Sequence, residues 1–417
     1  MEILNSRKWL FLIVLFAGLF LNSCNDNNEP ETPDYEYYVS NQYKSEVTAQ
    51  TINIKLLFAQ VQFPEIPGIQ MLSAFSAKAT NDVLVHKVTY RTSLQGKSIR
   101  ASGLVYLPKT AGNYPVMSFQ NGTNTVNKDA PSESSGSDNW LMLQTLASMG
   151  FIVVVPDYIG FGESANLAHP YLHAESTTQS ILDMLRAVNE LTSEDKVVAK
   201  PTKDLYIFGY SQGGWSTMQL QKAIEKNHSE EFNLIASSCA AGPYSIGFMN
   251  DFIAKSAEYP MPYFLGYLLN SYSSLKLFPN PLSDLFQEPY ATKIPTLFNG
   301  TNTGGTINAA LTTNMANLLT SEFRTGFDTN TKFAGLKSAF IANSVAPWAI
   351  STPTRLYHGS ADELIPVSLT NKMFQDLKTA GTPTEKIELI TIPGVNHKDG
   401  AFPVGISTIE WFLSLKK

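Results

Sequence analysis

The chain has 417 residues, 16% of them charged, and a net charge of −6. That length buries one large α/β core, with room for a sizeable insertion. The negative balance argues against a polyanionic partner, and no basic run interleaved with aromatics suggests a nucleic-acid surface.

Taken in order, the chain opens with Arg7 and Lys8, an apolar run over 9–21, and then Asn22-Ser23-Cys24. The run is too short to span a bilayer comfortably and has the tripartite form of a secretory signal. Its end resembles the lipobox of bacterial lipoproteins, which implies that residues 1–23 are removed and Cys24 carries lipid. The following acidic tract resembles the surface-export signal of some Gram-negative lipoproteins. The resemblance implies a lipid-anchored protein of the bacterial envelope, at the outer membrane, with the periplasmic and surface faces both open. Residues 24–45, rich in Asn, Glu, Pro and Thr, read as a disordered tether. Cys239 is then the only thiol of the mature chain and reads as a small buried hydrophobe.

Residues 46–58 read as a helix in an N-terminal addition. Alternating strands over 83–90 and 99–107 flank the Gln95-Gly96 turn and predict an antiparallel hairpin at a sheet edge. A strand over 115–119, a helix over 140–148 and the strand 151–155 follow. The last is apolar on both faces and belongs in the middle of a parallel sheet. A helix over 177–191 leads to a strand from 204, then a helix over 213–226 and a strand over 232–239. Strand and helix alternate, which predicts a doubly wound α/β sheet. After Gly242 the alternation stops, and 243–351 reads as a mainly helical, aromatic-rich insertion. Strands over 354–358 and 386–392, with helices over 368–379 and 404–415, complete the core. The expected organisation is thus a core in two parts, 46–242 and 352–417, interrupted by a cap.

The chemistry gathers at strand ends. Gly209-Tyr210-Ser211-Gln212-Gly213 stands where a strand meets a helix. Gly-x-Ser-x-Gly in that setting is a strained turn that lifts the serine hydroxyl clear of the backbone. The loop His358-Gly359-Ser360-Ala361-Asp362-Glu363 follows one late strand, and Gly394-Val395-Asn396-His397 follows the next. Serine, acid and histidine in this order, with a cap before the acid strand, resemble the α/β-hydrolase superfamily over 83–417. Among its branches the chain is similar to capped esterases and to the secretory lipases. The resemblance implies Ser211 as nucleophile, Asp362 as acid and His397 as base, with Glu363 the rival acid one residue on. Imidazole titrates near neutrality, so it can take the serine proton and return it to the leaving group.

An oxyanion hole needs two N–H donors. Gln212, next after the serine, supplies one. The other is expected from Gly122 or Thr123, where this chain has Asn121-Gly122-Thr123 in place of the His-Gly of many relatives. His169, Tyr171, Phe248 and Phe252 are candidate substrate-binding residues: the first two from a loop at the same sheet edge, the others from the aromatic insertion. Loop packing competes for His169 and His173. No cofactor or metal is required by this chemistry, and the substrate is expected to be a small-molecule or lipid ester. Two alternatives remain at this stage: an exported peptidase of the prolyl-peptidase kind, and a lipid- or glycan-binding lipoprotein on a silent hydrolase scaffold.

Overall fold

Among the residues described by the computed structural model, 34–194 and 196–416, nine strands join in one sheet. They are β1 (Tyr38–Val47), β2 (Val83–Leu94), β3 (Lys97–Pro108), β4 (Gly112–Gln120), β5 (Ile152–Pro156), β6 (Ala199–Tyr210), β7 (Asn233–Ala240), β8 (Thr354–Gly359) and β9 (Ile387–Ile392). Their spatial order is β1-β2-β3-β5-β4-β6-β7-β8-β9. β1, β2, β3 and β5 pair antiparallel, and every pair from β5 to β9 is parallel.

Helices α1 (Ala49–Gln62) and α2 (Met71–Lys78) precede β2. The helices α3 (Leu141–Ser148), α4 (Ala174–Ser193) and α5 (Gln212–Ala223) separate the parallel strands. Between β7 and β8 lie α6 (Ile246–Lys255), α7 (Tyr263–Ser274), α8 (Tyr290–Leu297), α9 (Gly304–Ala310), α10 (Met315–Leu318), α11 (Ser321–Gly326) and α12 (Ala334–Asn343). Then α13 (Val367–Thr379) leads to β9, and α14 (His397–Leu415) follows it. The residues Tyr35–Lys417, sheet and intervening helices together, form one compact unit.

β5 shows why the sheet needs helices on both sides. All five of its residues are buried, and successive side chains point to opposite faces. Val153 and Val155 enter the core under α1, α3 and α14. Ile152 and Val154 enter the core under α4 and α5. A continuous apolar run is what a strand covered on both faces requires.

The topology also fixes where chemistry can occur. From β4 the chain crosses to β5 on one side, then returns to β6 on the other, so neighbouring connections diverge at the end of β4. Such switch points open a crevice beyond the carboxyl ends of the strands. Gln120 is in register with Gly209, which sets Asn121-Gly122 beside the turn holding Ser211.

The expected tether ends earlier than the composition indicates. Tyr38–Val47 is a strand paired to β2, so β1 and not the β2–β3 hairpin forms this sheet edge. Its exposed residues are polar except Tyr43, as edge strands often are, which gives it the composition of a loop. The Glu190 carboxylate on α4 accepts the N–H groups of Glu36, Tyr37 and Tyr38 at 3.1, 2.9 and 2.6 Å and pins the strand's start. The first helix therefore starts at Ala49, and the last starts at His397 and not at 404. Residues 1–23 and Cys24 lie outside the described residues. Among those described, no helix is long and apolar enough to cross a membrane.

Candidate active site

β6 delivers Ser211 at φ +59°, ψ −123°, a conformation that costs a non-glycine residue on the order of 1–3 kcal/mol. The Ser211 N–H donates to Ala240 O at 2.9 Å, and Ser211 O accepts from Gly214 N at 2.9 Å. Both bonds hold the turn. A Cβ on Gly213 would overlap the Gln120 carbonyl, and one on Gly209 would overlap the carbonyl of Gly213. These two glycines let α5 start hard against β4.

β8 and β9 bring the other two groups to the same edge. His397 is the first residue of α14, whose N-cap is Asn396, with Asn396 Oδ1 accepting Asp399 N at 2.8 Å. His397 Nε2 lies 2.9 Å from Ser211 Oγ, and His397 Nδ1 lies 2.7 Å from Asp362 Oδ2. The hydroxyl of Tyr210, the residue before the serine, donates to His397 O at 2.7 Å, so the two turns are tied together. Asp362 Oδ1 accepts the N–H groups of Leu364 and Ile365 at 3.0 and 2.8 Å. Burial would raise its pKa, but hydrogen bonds from His358 and His397 outweigh that and hold the carboxyl well below the usual range. Asp362 is thus an anion beside the imidazole. Among the described residues, Glu363 meets only the backbone N–H of His397, at 3.4 Å.

Gly122 and Thr123 follow β4 next to this turn. A Cβ on Gly122 would lie 4.0 Å from Ser211 Cβ and 3.7 Å from Tyr210 O. The loop is therefore adjacent to the serine, with space to spare. Thr123 Oγ1 is 2.9 Å from the Tyr171 hydroxyl, and Asn121 O accepts the Tyr158 hydroxyl at 3.1 Å. The Gln212 side chain reaches back under the site, its Nε2 3.1 Å from His169 Nε2.

The candidate substrate residues divide. A narrow cavity of about 40 Å³ opens beside Ser211 and His397, and Tyr171 lines it. His169 does not. It is buried behind, with Nδ1 2.7 Å from Ile159 O, which makes Nε2 the acceptor for the Gln212 amide. His173 is the N-cap of α4. Phe248 and Phe252 also miss the cavity. α6 turns Ile246, Met249, Asn250 and Ile253 toward it, a set spaced at 3, 4 and 7 residues as one helical face. Phe248 and Phe252 fall off that face and pack, half-buried, against the edge of the insertion's core. Aromatic density gave no helical phase, and the i, i+3, i+4, i+7 pattern would have.

The helices between β7 and β8 are lashed to α5 and to the loops before α4 and α13. The rings of Tyr171, Tyr267 and Phe298 stack in series at 4.5 Å. Tyr272 donates to Leu172 O at 2.9 Å, Tyr259 to Leu364 O at 3.1 Å, and Trp215 Nε1 to Asn343 O at 2.9 Å. Cys239 is fully buried in β7, and burial pushes its thiol up to about 12.

A mostly parallel sheet flanked by helices, with a strained serine after β6 and a histidine after its last strand, defines an α/β-hydrolase. Residues 129–412 match the secretory lipase family profile; the chain belongs to that family and is a carboxylic ester hydrolase. The peptidase and silent-scaffold alternatives are thereby set aside. No curated protein matches the chain. Solved structures share the fold. A candidate hydrolase from Legionella pneumophila superposes with TM-score 0.79 at 22% identity, over 91% of this chain and 98% of its own. The rice cell wall degrading esterase LipA from Xanthomonas oryzae gives 0.73 at 24%, over 92% and 98%. Candida antarctica lipase A in its closed state gives 0.64 at 15%, over 92% and 85%.

Proposed function

We propose that the chain hydrolyses short-chain carboxylic esters through an acyl-enzyme on Ser211. The observation that carries this is the unbroken run of bonds from Ser211 Oγ through both nitrogens of His397 to Asp362. Ser211 Oγ attacks the ester carbonyl as its proton passes to His397 Nε2. Asp362 holds Nδ1 protonated and stabilises the imidazolium. The tetrahedral oxyanion takes hydrogen bonds from the N–H of Gln212 and from one of Gly122 and Thr123. His397 then protonates the departing alcohol. Water, activated by the same nitrogen, releases the acid and restores Ser211.

The helices of 243–351 act as a fixed cap over an apolar pocket. In this reading Tyr171, Met249 and Ile253 shape the acyl site, and the 40 Å³ cavity favours a short chain. Residues 1–23 serve as a lipoprotein signal, and Cys24 anchors the enzyme to the outer membrane through lipid. Metabolic labelling with a palmitate analogue tests the anchor: label on the wild type and none on C24S is expected. A fluorophosphonate probe tests the nucleophile. A single adduct on Ser211, absent from S211A, is the expected result, and an adduct on another serine sinks the assignment.

A further inference from the structure

The face that α6 turns to the cavity is apolar except at one position. Ile246, Met249 and Ile253 surround Asn250, which is 1% exposed. Among the described residues, neither its Nδ2 nor its Oδ1 has a hydrogen-bond partner. Asn250 lines the same cavity as Ser211 and His397. Buried amides are almost always paired, and an orphan with both its donor and its acceptor free is rare enough to need a cause. A leucine, with the same branched outline though bulkier, would complete the apolar stripe.

We propose that Asn250 reads a hydroxyl group on the acyl part of the substrate, so that the preferred esters are those of short hydroxy acids. This rests on the acyl-enzyme reading above and gives its substrate class. A hydroxyl suits the amide because it can donate to Oδ1 or accept from Nδ2. A carboxylate does not suit the pocket. No lysine or arginine lines it, and an anion there would be desolvated without a counter-charge. The cavity beside Ser211 is small, about 40 Å³, which suits a short chain carrying one hydroxyl. The remaining walls are mostly apolar, Leu265 and Leu268 among them, and the hydroxyls of Tyr171 and Tyr259 already meet Thr123 Oγ1 and Leu364 O.

The test compares methyl 3-hydroxybutyrate with methyl butyrate in a pH-stat, for wild type and N250L. The wild type is expected to prefer the hydroxy ester in kcat/KM. N250L is expected to lower the hydroxybutyrate-to-butyrate ratio at least about tenfold, because a site built for a hydroxyl discriminates strongly against its absence. It is also expected to melt above the wild type, since an orphaned polar group leaves the core. N250A removes the amide without adding bulk and is expected to lose the preference as N250L does, whereas N250S, smaller and still polar, is expected to keep part of it. A wild type that prefers butyrate, or an N250L ratio equal to that of wild type, overturns the proposal. So does an N250L effect seen only when the alcohol is varied, as between glycerol monobutyrate and methyl butyrate, which would put the hydroxyl on the alcohol side. Fluorophosphonate labelling of Ser211 runs beside every assay. Loss of labelling in folded wild type counts against the acyl-enzyme reading itself, and intact labelling with no hydroxyl preference counts against Asn250 alone.

Discussion

His358 Nε2 lies 3.1 Å from Asp362 Oδ2, the same oxygen that His397 Nδ1 meets at 2.7 Å. Two imidazoles share one carboxylate oxygen. His358 Nδ1 is held by Thr370 Oγ1 at 2.6 Å, and its Nε2 also lies 2.8 Å from Ile365 O. His358 is fully buried and thus fixes the carboxylate from within the fold.

Replacing it should cost activity through Asp362. H358L removes one hydrogen bond from a buried anion, a loss of roughly 1–3 kcal/mol. Expected are a lower melting temperature and kcat down about tenfold, with KM little changed. H358Q, which keeps a donor, should recover part of both. Equal melting temperature and kcat in H358L and wild type would refute the role.

The catalytic assignments predict a ranked series. S211A and H397A should each reduce kcat by at least about 10⁴-fold, since the hydroxyl is a weak nucleophile without its base. D362N should cost about 10⁴-fold by disturbing the tautomer. E363Q should stay within about threefold, because among the described residues its carboxylate meets only a backbone N–H at 3.4 Å. A severe E363Q beside a mild D362N would reassign the acid.

Stability should fall as the medium is acidified. Burial lowers the pKa of His169 to about 4, against roughly 6.5 in the unfolded chain. Between those values the unfolded chain binds a proton that the native state does not, so stability is full above pH 6.5 and drains as pH falls toward 4. The loss is about 3 kcal/mol in all, and about 2 kcal/mol of it is gone by pH 5. Urea unfolding of wild type and H169Q at pH 7 and 5 checks this. H169Q should show the shallower dependence; a parallel one would mean that other groups carry the slope.

Acyl-length preference should follow Met249 and ignore Phe248. M249A widens the cavity wall, so the kcat/KM optimum should move one or two carbons longer. Each added methylene is worth about 0.8 kcal/mol, or roughly fourfold. F248A, off the lining face, should leave the profile's shape intact. The reverse pattern would turn α6 the other way.

Much of this is legible in the sequence, for a physical reason. Groups that must sit at strand ends carry punctuation around them: Gly209 and Gly213 beside Ser211, Gly359 before Asp362, Gly394 before His397. Backbone demands leave marks in sequence. β5 announced its central place because burial on both faces leaves no polar positions. β1 was missed because an edge strand with a solvated face has the composition of a loop. The lining face of α6 was missed because composition carries no phase, and Asn250 because its lone polar side chain reads in sequence as a gap in the stripe. His169 looked like a pocket residue from its place at the sheet edge; only the fold shows that the edge has a second layer.

β1 has a consequence for how the protein can be trimmed. It is the sheet's terminal strand on that side, so deleting residues up to Val47 would bare β2 from Val83 to Tyr90. A naked strand of that length is a template for its own kind. Two shortened molecules would meet β2 to β2, or one would borrow a neighbour's leading segment. A soluble form cut at Asp34 should stay monomeric in size-exclusion chromatography, whereas one cut at Thr48 should self-associate with its catalytic edge still intact.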